Sequence, residues 1–342
     1  MGGTVRWRPL GCPSIMKRLL ALLLTLTLST PALAAETLTV YSGRTEKLVG
    51  PLLKRFTEKS GIEVKVRYGE TPQLAATLLE EGDKTPADVF FAQDAGALGA
   101  LANAGHLQVL PKETLDKVDA RFRSPTGLWV GTSGRARVVA YSTKKVKPEA
   151  LPRSILEFTD PKWKGKLGWA PTNASFQAFV TALRLLKGND AARKWLEGVK
   201  ANDPRVYKNN AAVIEALGRG EIEAGFVNHY YLYAAKKTQP GLAVANHFVA
   251  AGDPGALVNV AGVAVLKNTK KADAARKFAA FLLEQDAQAY FSQETYEYPL
   301  VAGVKTADAL PALSKVGSPD LDLSKLDDLR GTVKLLQDTG VL

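Results

Sequence analysis

The sequence predicts an α/β protein of two lobes, each a mixed and mainly parallel sheet flanked by helices, with crossover strands joining the lobes. Three observations predict this class. Short apolar segments alternate with amphipathic segments of helical period, and the alternation starts afresh near the middle of the 342 residues. A long apolar strand segment, residues 256–266, comes late enough in the chain to cross back to the first lobe.

The first half of the chain alternates strand and helix three times. The three segments with strand character are "TLTVYS" (37–42), "IEVKVRY" (62–68) and "PADVFFA" (86–92). Each is followed by a segment with helical character: residues 45–61, 71–82 and 95–105. In the first helical segment Leu48, Leu52 and Phe56 share one face, and Gly61 provides a stop. This βαβαβα order is typical of a mainly parallel sheet.

The second half repeats the pattern with longer helices. Residues 135–142 and 222–228 have strand character, and residues 159–173, rich in Pro, Trp and Gly, are predicted to be a turn. The helical segments of this half are residues 175–188, 190–202, 211–221 and 272–293. The last of these is predicted as one continuous amphipathic stretch.

The N-terminus has the features of a secretion signal. Lys17 and Arg18 precede an apolar run too short to span a bilayer, and an A-x-A site ends at Ala34. We therefore predict a signal peptide over residues 1–34, cleaved near Ala34, and a periplasmic or otherwise extracytoplasmic protein; a membrane anchor is the weaker alternative. The predicted lobes are residues 35–135 with 259–309, and residues 136–258 with 310–342.

Composition limits the function further. Cys12 is the only cysteine, so no disulfide within the chain is possible. Residues 1–34 carry four basic side chains and no acidic one, so their removal lowers the formal net charge from +11 to +7. A mild positive excess suits anionic ligands. No basic block or basic-aromatic interleaving occurs, so we expect a monomer that binds no nucleic acid.

Signals of catalysis are missing from the sequence. Neither G-x-S-x-G nor H-E-x-x-H occurs, and three histidines with one cysteine do not make a His/Cys zinc site. A secreted hydrolase that uses Ser133 or Ser175 is an unfavoured alternative, because no histidine accompanies either serine. We predict that the protein is not an enzyme.

Polar residues cluster where predicted strands give way to helices. Four such junctions are residues 41–46, 90–94, 170–175 and 226–231. In open α/β sheets ligands bind where strand carboxyl ends meet helix N-termini. We therefore expect the binding cleft at these four junctions.

The last junction contains adjacent phenols, Tyr230 and Tyr231, in "FVNHYYLYAAKK". A phenolate is a hard anionic oxygen donor that suits Fe(III), and only a strongly polarising ion would deprotonate two tyrosines near neutral pH. By itself, however, the pair is more often explained by packing, since tyrosine combines an apolar body with a wet tip. The residues alone leave both readings open.

A family resemblance covers the mature chain in order. Its stretches are "LTVYSGRTEKL", "EEGDKTPADVFFAQDAGAL", "SGRARVVAYS", "PKWKGKLGWAPTNASFQAF", "VYKNNAAVIEAL", "VNHYYLYAAK", "GDPGALVNVAGVAVL" and "YEYPL". Together they resemble the periplasmic ferric ion-binding proteins, the substrate-binding subunits of ABC iron(III) transporters. The resemblance implies two α/β lobes that close around a metal cleft by hinge motion.

The resemblance implies that Tyr230 and Tyr231 ligate Fe(III). It also reveals departures: subgroups of the family add a His and a Glu, or a third Tyr, where this chain has Thr45, Gln93 and Phe176. Gln93 remains a candidate ligand through its amide oxygen. Two phenolates leave one net positive charge and open positions on Fe(III), so we expect a synergistic anion, carbonate or phosphate, plus water.

The predicted anion cradle combines helix N-termini with two guanidinium groups. Its members are Arg44, Thr45, Arg135, Asn173, Ala174, Ser175, Asn210 and Asn228. The backbone N–H groups of Ala174 and Ser175 are expected to face the anion at a helix start, and arginine matches carbonate or phosphate with its planar fork. The alternatives without a ligand are ordinary N-caps for the Asn and Ser residues and an ion pair at the hinge for Arg135.

The sequence therefore predicts an extracytoplasmic protein that captures Fe(III) with two tyrosinates and an anion and passes it to an ABC permease of the inner membrane. The closest alternative is the same fold binding an anionic small molecule such as a phosphonate, phosphate ester or sulfate. Tyr233 is expected to pack, and His229 to point away from the metal.

Overall fold

A computed structural model describes residues 1–7 and 36–342. Residues 1–7 are exposed and contain no regular secondary structure. Residues 36–342 form one compact unit by their contacts. The predicted signal peptide, its cleavage site and Cys12 fall almost wholly outside the described residues. No helix among the described residues is long and apolar enough to cross a membrane.

Nine strands within residues 36–342 form one connected mixed sheet. They are β1 (Thr37–Ser42), β2 (Glu63–Tyr68), β3 (Val89–Ala92), β4 (Val130–Ser142), β5 (Leu167–Trp169), β6 (Arg205–Val206), β7 (Ala224–Asn228), β8 (Val244–His247) and β9 (Val258–Val265). The order is β2-β1-β3-β9-β4-β7-β5-β6, with β8 paired to β4. The two ends of the sheet are parallel, and the pairs around β4 and β9 are antiparallel.

Helices flank this sheet. They are α1 (Glu46–Ser60), α2 (Thr71–Glu81), α3 (Ala95–Asn103), α4 (Lys112–Leu115), α5 (Ala174–Lys187), α6 (Asn189–Ala201), α7 (Asn210–Arg219), α8 (Tyr230–Thr238), α9 (Ala272–Phe281), α10 (Gln285–Gln293), α11 (Leu313–Val316) and α12 (Leu329–Asp338). The predicted stop of α1 is confirmed: Gly61 has φ of 71°, a conformation that glycine adopts at low cost. The α/β fold class is confirmed.

Strand β4 connects the two parts of the sheet. Its residues up to Ala136 pair with β9, and from Arg137 onward they pair with β7 and β8. Beyond this point its side chains alternate between two hydrophobic clusters, Val139 on one face and Val138 on the other. A separate, larger cluster covers β1, β3 and β9. The predicted domain boundaries stay a prediction.

Two element predictions were wrong. The predicted turn at residues 159–173 contains the short strand β5, which lies between β6 and β7. The predicted continuous helix over 272–293 breaks into α9 and α10. At the break, the buried Gln288 donates from Nε2 to the carbonyl of Leu282 at 2.8 Å, so a side chain satisfies a carbonyl that the helix leaves free.

Candidate metal and anion site

The predicted junctions meet at one cavity of about 670 Å³. Five of the predicted site residues line it: Arg44, Thr45, Gln93, Asn173 and Tyr231. The others are buried side chains in the elements that border the cavity: Arg135, Ala174, Ser175, Asn210, Asn228 and Tyr230. Their convergence follows from the sheet, because β1, β3, β5 and β7 all end at junctions that begin α1, α3, α5 and α8.

Tyr230 and Tyr231 are the first two residues of α8, directly after β7. Their rings stack with centroids 4.3 Å apart and planes at 27°. Tyr230 is 1% exposed, and its hydroxyl makes no hydrogen bond of normal length and angle among the described residues, although Arg44 and Tyr231 both lie close enough to interact with it. Burial, and then the charge of Tyr230, holds the pKa of the Tyr231 phenol well above its ordinary value. The pair therefore needs a strongly polarising cation to ionise.

Arg44 is buried beside these phenols in an ion pair that the sequence reasoning missed. Its Nη2 donates to both carboxylate oxygens of Glu297, at 2.8 and 2.7 Å, and Thr295 Oγ1 donates to Oε2 at 2.9 Å. Both charged side chains are fully buried. Burial alone would lower the pKa of Arg44, but Glu297 and the two tyrosines counteract it, and the pKa is raised. By distance and angle Arg44 Nε and Nη1 make no hydrogen bond within the part of the chain that the structure describes, but the guanidinium lies close to the Tyr230 hydroxyl.

Ser175 collects three hydrogen bonds that border the cavity. Its Oγ accepts from Arg135 Nη1 at 3.2 Å, from Asn228 Nδ2 at 3.1 Å and from Gln93 Nε2 at 3.4 Å. Gln93 comes from the β3 end and Ser175 from the start of α5, so this cluster joins junctions from both halves of the chain. Within residues 36–342 Arg135 makes no ion pair by the usual distance criterion. In place of the hinge ion pair considered for Arg135, its charge acts at longer range on the buried carboxyl of Asp94.

The backbone of Ser175 is not free for an anion, contrary to the prediction. Asn173 caps α5, and its Oδ1 accepts the N–H of Ser175 at 3.1 Å. The same Oδ1 accepts from Asn210 Nδ2 at 3.1 Å. The cap of α7 is Asn209 rather than Asn210, which is the first residue of the helix and is fully buried. Asn210 Oδ1 has no partner.

Arg137 is a second buried guanidinium that the sequence reasoning missed. It donates to the carbonyl of Phe226 at 2.9 Å and to Asn228 Oδ1 at 3.5 Å, and it lies 5.6 Å over the rings of Phe176 and Phe179. Burial lowers its pKa to about 9, so it still carries its charge at neutral pH. A signal existed in "RAR", because Arg135 and Arg137 must share one face of a strand.

The remaining residues discussed in the sequence analysis have packing or hydrogen-bonding roles in the fold. Phe176 is buried in the aromatic cluster, 5.7 Å from Trp169, and does not line the cavity. Tyr233 stacks on Tyr296 at 5.3 Å and donates to the carbonyl of Ala309. His229 accepts the N–H of Ala136 at Nδ1 and donates from Nε2 to Tyr296 O at 2.7 Å. Both ring nitrogens of His229 are therefore occupied by backbone groups.

The donor set at this cavity fits a hard cation held with an anion. Among the described residues no group of three or more His, Cys, Asp or Glu could hold a metal ion. The phenols are hard oxygen donors, and the unpartnered Arg44 nitrogens can donate to an anion beside them.

Comparisons with known proteins agree with this geometry. The profile of a family described as bacterial extracellular solute-binding protein matches residues 84–325. The chain is 36% identical to the major ferric iron-binding protein of Neisseria meningitidis serogroup B, over 92% of this chain and 96% of that one. It is 31% identical to the Fe(3+)-binding periplasmic protein of Serratia marcescens, over 91% and 92%.

Solved structures of iron-bound proteins are similar to this chain over most of its length. The structure of iron-bound HitA from Pseudomonas aeruginosa has a TM-score of 0.86 and 37% identity, covering 89% of this chain and 99% of that chain. A Trichodesmium protein in complex with iron and citrate has a TM-score of 0.76 and 32% identity, covering 89% and 99%.

Proposed function

The chain belongs to the ferric ion-binding periplasmic proteins, within the wider family of bacterial extracellular solute-binding proteins, and we propose that it captures Fe(III) with Tyr230, Tyr231 and a synergistic anion. The cargo is then delivered to an ABC permease of the inner membrane from an extracytoplasmic location. The relatives in this family are substrate-binding proteins of transporters, and we propose that this chain is likewise a binding protein and not an enzyme.

The stacked phenols are the observation that carries this proposal. Tyr230 is buried without a hydrogen-bond partner, Tyr231 lines the cavity, and the rings lie 4.3 Å apart. A buried hydroxyl without a partner costs free energy unless something else satisfies it. A ferric ion bound by both oxygens would satisfy Tyr230 and would supply the positive charge that lets Tyr231 ionise despite its raised pKa.

The anion is expected to lie beside Arg44. Two phenolates leave one positive charge on Fe(III), and Arg44 Nε and Nη1 are buried donors without partners. Carbonate or phosphate could accept from this edge of the guanidinium while binding the ion. Asn173, whose cap places it on the cavity wall, is a further polar contact. Gln93 stays a candidate ligand through Oε1, because only its Nε2 is engaged with Ser175.

The test of this function is the visible spectrum of purified protein with ferric citrate and bicarbonate. The wild type is expected to show a tyrosinate-to-iron charge-transfer band. Tyr230→Phe and Tyr231→Phe should each weaken the band and lower iron affinity, and the double variant should abolish it. Tyr233→Phe is the matched control, since its hydroxyl contacts Ala309 outside the cavity. A wild type without a band would overturn the iron proposal.

A small anion is the second candidate ligand, and the buried guanidinium groups favour it. Neither Arg135 nor Arg137 makes a direct ion pair within residues 36–342, although the charge of Arg135 acts on the buried carboxyl of Asp94, and together with Arg44 they place three cations near the cavity. Binding of phosphate or sulfate by metal-free protein, unchanged in the Tyr230→Phe variant, would favour this function over iron capture.

A further inference from the structure

One wall of the cavity carries acidic and phenolic groups that no role above uses. Glu46, Tyr68 and Glu70 line the same space as Arg44 and Tyr231. Among the described residues the two carboxylates and the Tyr68 hydroxyl make no hydrogen bond or ion pair. All three come from the junctions of β1 and β2 with their helices.

The turn from β2 into α2 sits directly against the β1 junction. Tyr68 is in register with Ser42, and the N–H of Gly69 donates to Ser42 O at 3.2 Å. Glu70 follows at the N-cap position of α2 and makes no capping hydrogen bond. Its carboxylate is therefore not engaged by its own helix.

Thr71 fixes this turn to the β1 and β3 ends. Its Oγ1 accepts the N–H of Gln93 at 3.0 Å. A Cβ on Gly43 would lie only 1.8 Å from the same Oγ1, so the Thr71 side chain packs where Gly43 has none. Glu70 is the immediate neighbour of Thr71 and thus lies where the ends of β1, β2 and β3 meet. Glu70 is exposed, which leaves its carboxylate free to turn into the cavity.

The chemistry of the site calls for one more anionic oxygen. The two phenolates leave Fe(III) with one positive charge, and Gln93 offers only a neutral amide. Arg44 lines the same cavity as Glu70, and its buried Nε and Nη1 make no hydrogen bond of normal geometry among the described residues, which points independently to a ligand in this space.

We propose that Glu70 is a carboxylate ligand of the ferric ion and supplies, from the first lobe, the negative charge that Gln93 does not. The inference rests on the proposed capture of Fe(III). It gives the site three anionic protein oxygens, whose charges together balance Fe(III), so the exogenous anion is held through the Arg44 donors and an open coordination position and not through a residual charge on the metal.

Glu70→Gln tests this inference, because it keeps the size of the side chain and removes the charge. Iron affinity is measured by competition with citrate at saturating bicarbonate. We expect Glu70→Gln to lower the affinity at least tenfold and to shift the charge-transfer maximum without abolishing the band, since both phenolates remain. Glu46→Gln is the matched control: it removes the same charge from the same cavity and should change the affinity less than threefold.

The outcomes distinguish direct binding of the ferric ion by Glu70 from a general electrostatic attraction between the cavity and the ion. An unchanged affinity in Glu70→Gln, or equal losses in both variants, overturns the assignment of Glu70 as a ligand. If the wild type shows a band that Tyr230→Phe weakens while Glu70→Gln behaves as wild type, Glu70 is wrong and the iron function stands. A wild type without the band overturns both. Circular dichroism of each variant excludes loss of folding as the cause.

Discussion

Arg44 and Glu297 form a fully buried ion pair at the edge of the cavity. Burying two charges removes much solvation, so such a pair need not stabilise the fold relative to apolar residues, but removing one partner leaves a buried charge uncompensated. The pair also fixes the orientation of the Arg44 guanidinium. Glu297 holds one guanidinium nitrogen, and the other two nitrogens stay without partners.

Glu297→Gln is expected to lower the free energy of unfolding by about 3 kcal/mol, because Arg44 remains buried without its counter-charge. Urea unfolding of the metal-free protein measures this. Glu294→Gln is the control: its carboxylate pairs with Lys237 at the surface and should change stability by less than about 0.5 kcal/mol. Equal stability of the two variants would show that the buried pair contributes nothing.

The sequence located single site residues but not their partners. "SGRTE" marked Arg44 as a cleft residue, and the structure places it on the cavity wall. Glu297 lies 253 positions away in the chain, and no local pattern connects two residues so far apart. Ser175 was marked as an anion donor, yet its N–H is consumed by the Asn173 cap. Only three-dimensional packing decides which of several polar groups at a junction stays free.

His229 connects the start of α8 to β4 and to the loop after α10, beside the tyrosine pair. It precedes α8, its Nδ1 accepts the N–H of Ala136 in β4, and its Nε2 donates to the carbonyl of Tyr296. This arrangement requires the neutral imidazole, since a protonated Nδ1 could not accept. Burial is the main cause that lowers the pKa of His229 to about 4.

Stability is expected to depend on pH through His229. Its folded pKa, about 4, lies below the unfolded value of 6.5, so the unfolded chain binds the proton first. The contribution is fully present above pH 6.5 and is lost as the pH falls toward 4, amounting to about 3 kcal/mol. In His229→Asn the free energy of unfolding should fall less between these pH values, as urea titrations at each pH would show.

His106→Asn provides the comparison for that experiment. It removes a histidine outside the β4–α8 contact and should keep the wild-type slope. If the slope of His229→Asn equals that of the wild type, protonation of His229 does not govern acid stability.

Most elements were predictable because local signals marked their ends. Gly61 ends α1, Gly188 follows α5 and Gly220 follows α7. The failures lie where a tertiary contact overrides local pattern. β5 has only three residues and pairs on both sides, with β6 and with β7, and at the break between α9 and α10 the side chain of Gln288 donates to the carbonyl of Leu282.

The whole molecule is organised around β4, which pairs with β9 in its first part and with β7 and β8 in its second. The sequence predicted its residues 135–142 as a strand but not the five residues before them, nor that the sheet would be continuous. Register across β4 depends on strands more than 80 positions away, so it could not be deduced from local pattern. The cavity is lined by residues from both parts of this sheet, among them Arg44 and Gln93 from one part and Asn173 and Tyr231 from the other.

Iron and its anion should stabilise the molecule as a whole, because the unfolded chain presents no assembled set of phenols and donors. At free ligand of 100 times Kd, linkage adds about 2.7 kcal/mol, which for a chain of this size raises Tm by about 4 °C. Thermal unfolding with ferric citrate and bicarbonate measures the shift. The Tyr230→Phe/Tyr231→Phe double variant should show almost none, and wild type without bicarbonate should show a smaller one. An equal shift in the double variant would place iron elsewhere, since neither phenol oxygen would then be needed to hold it.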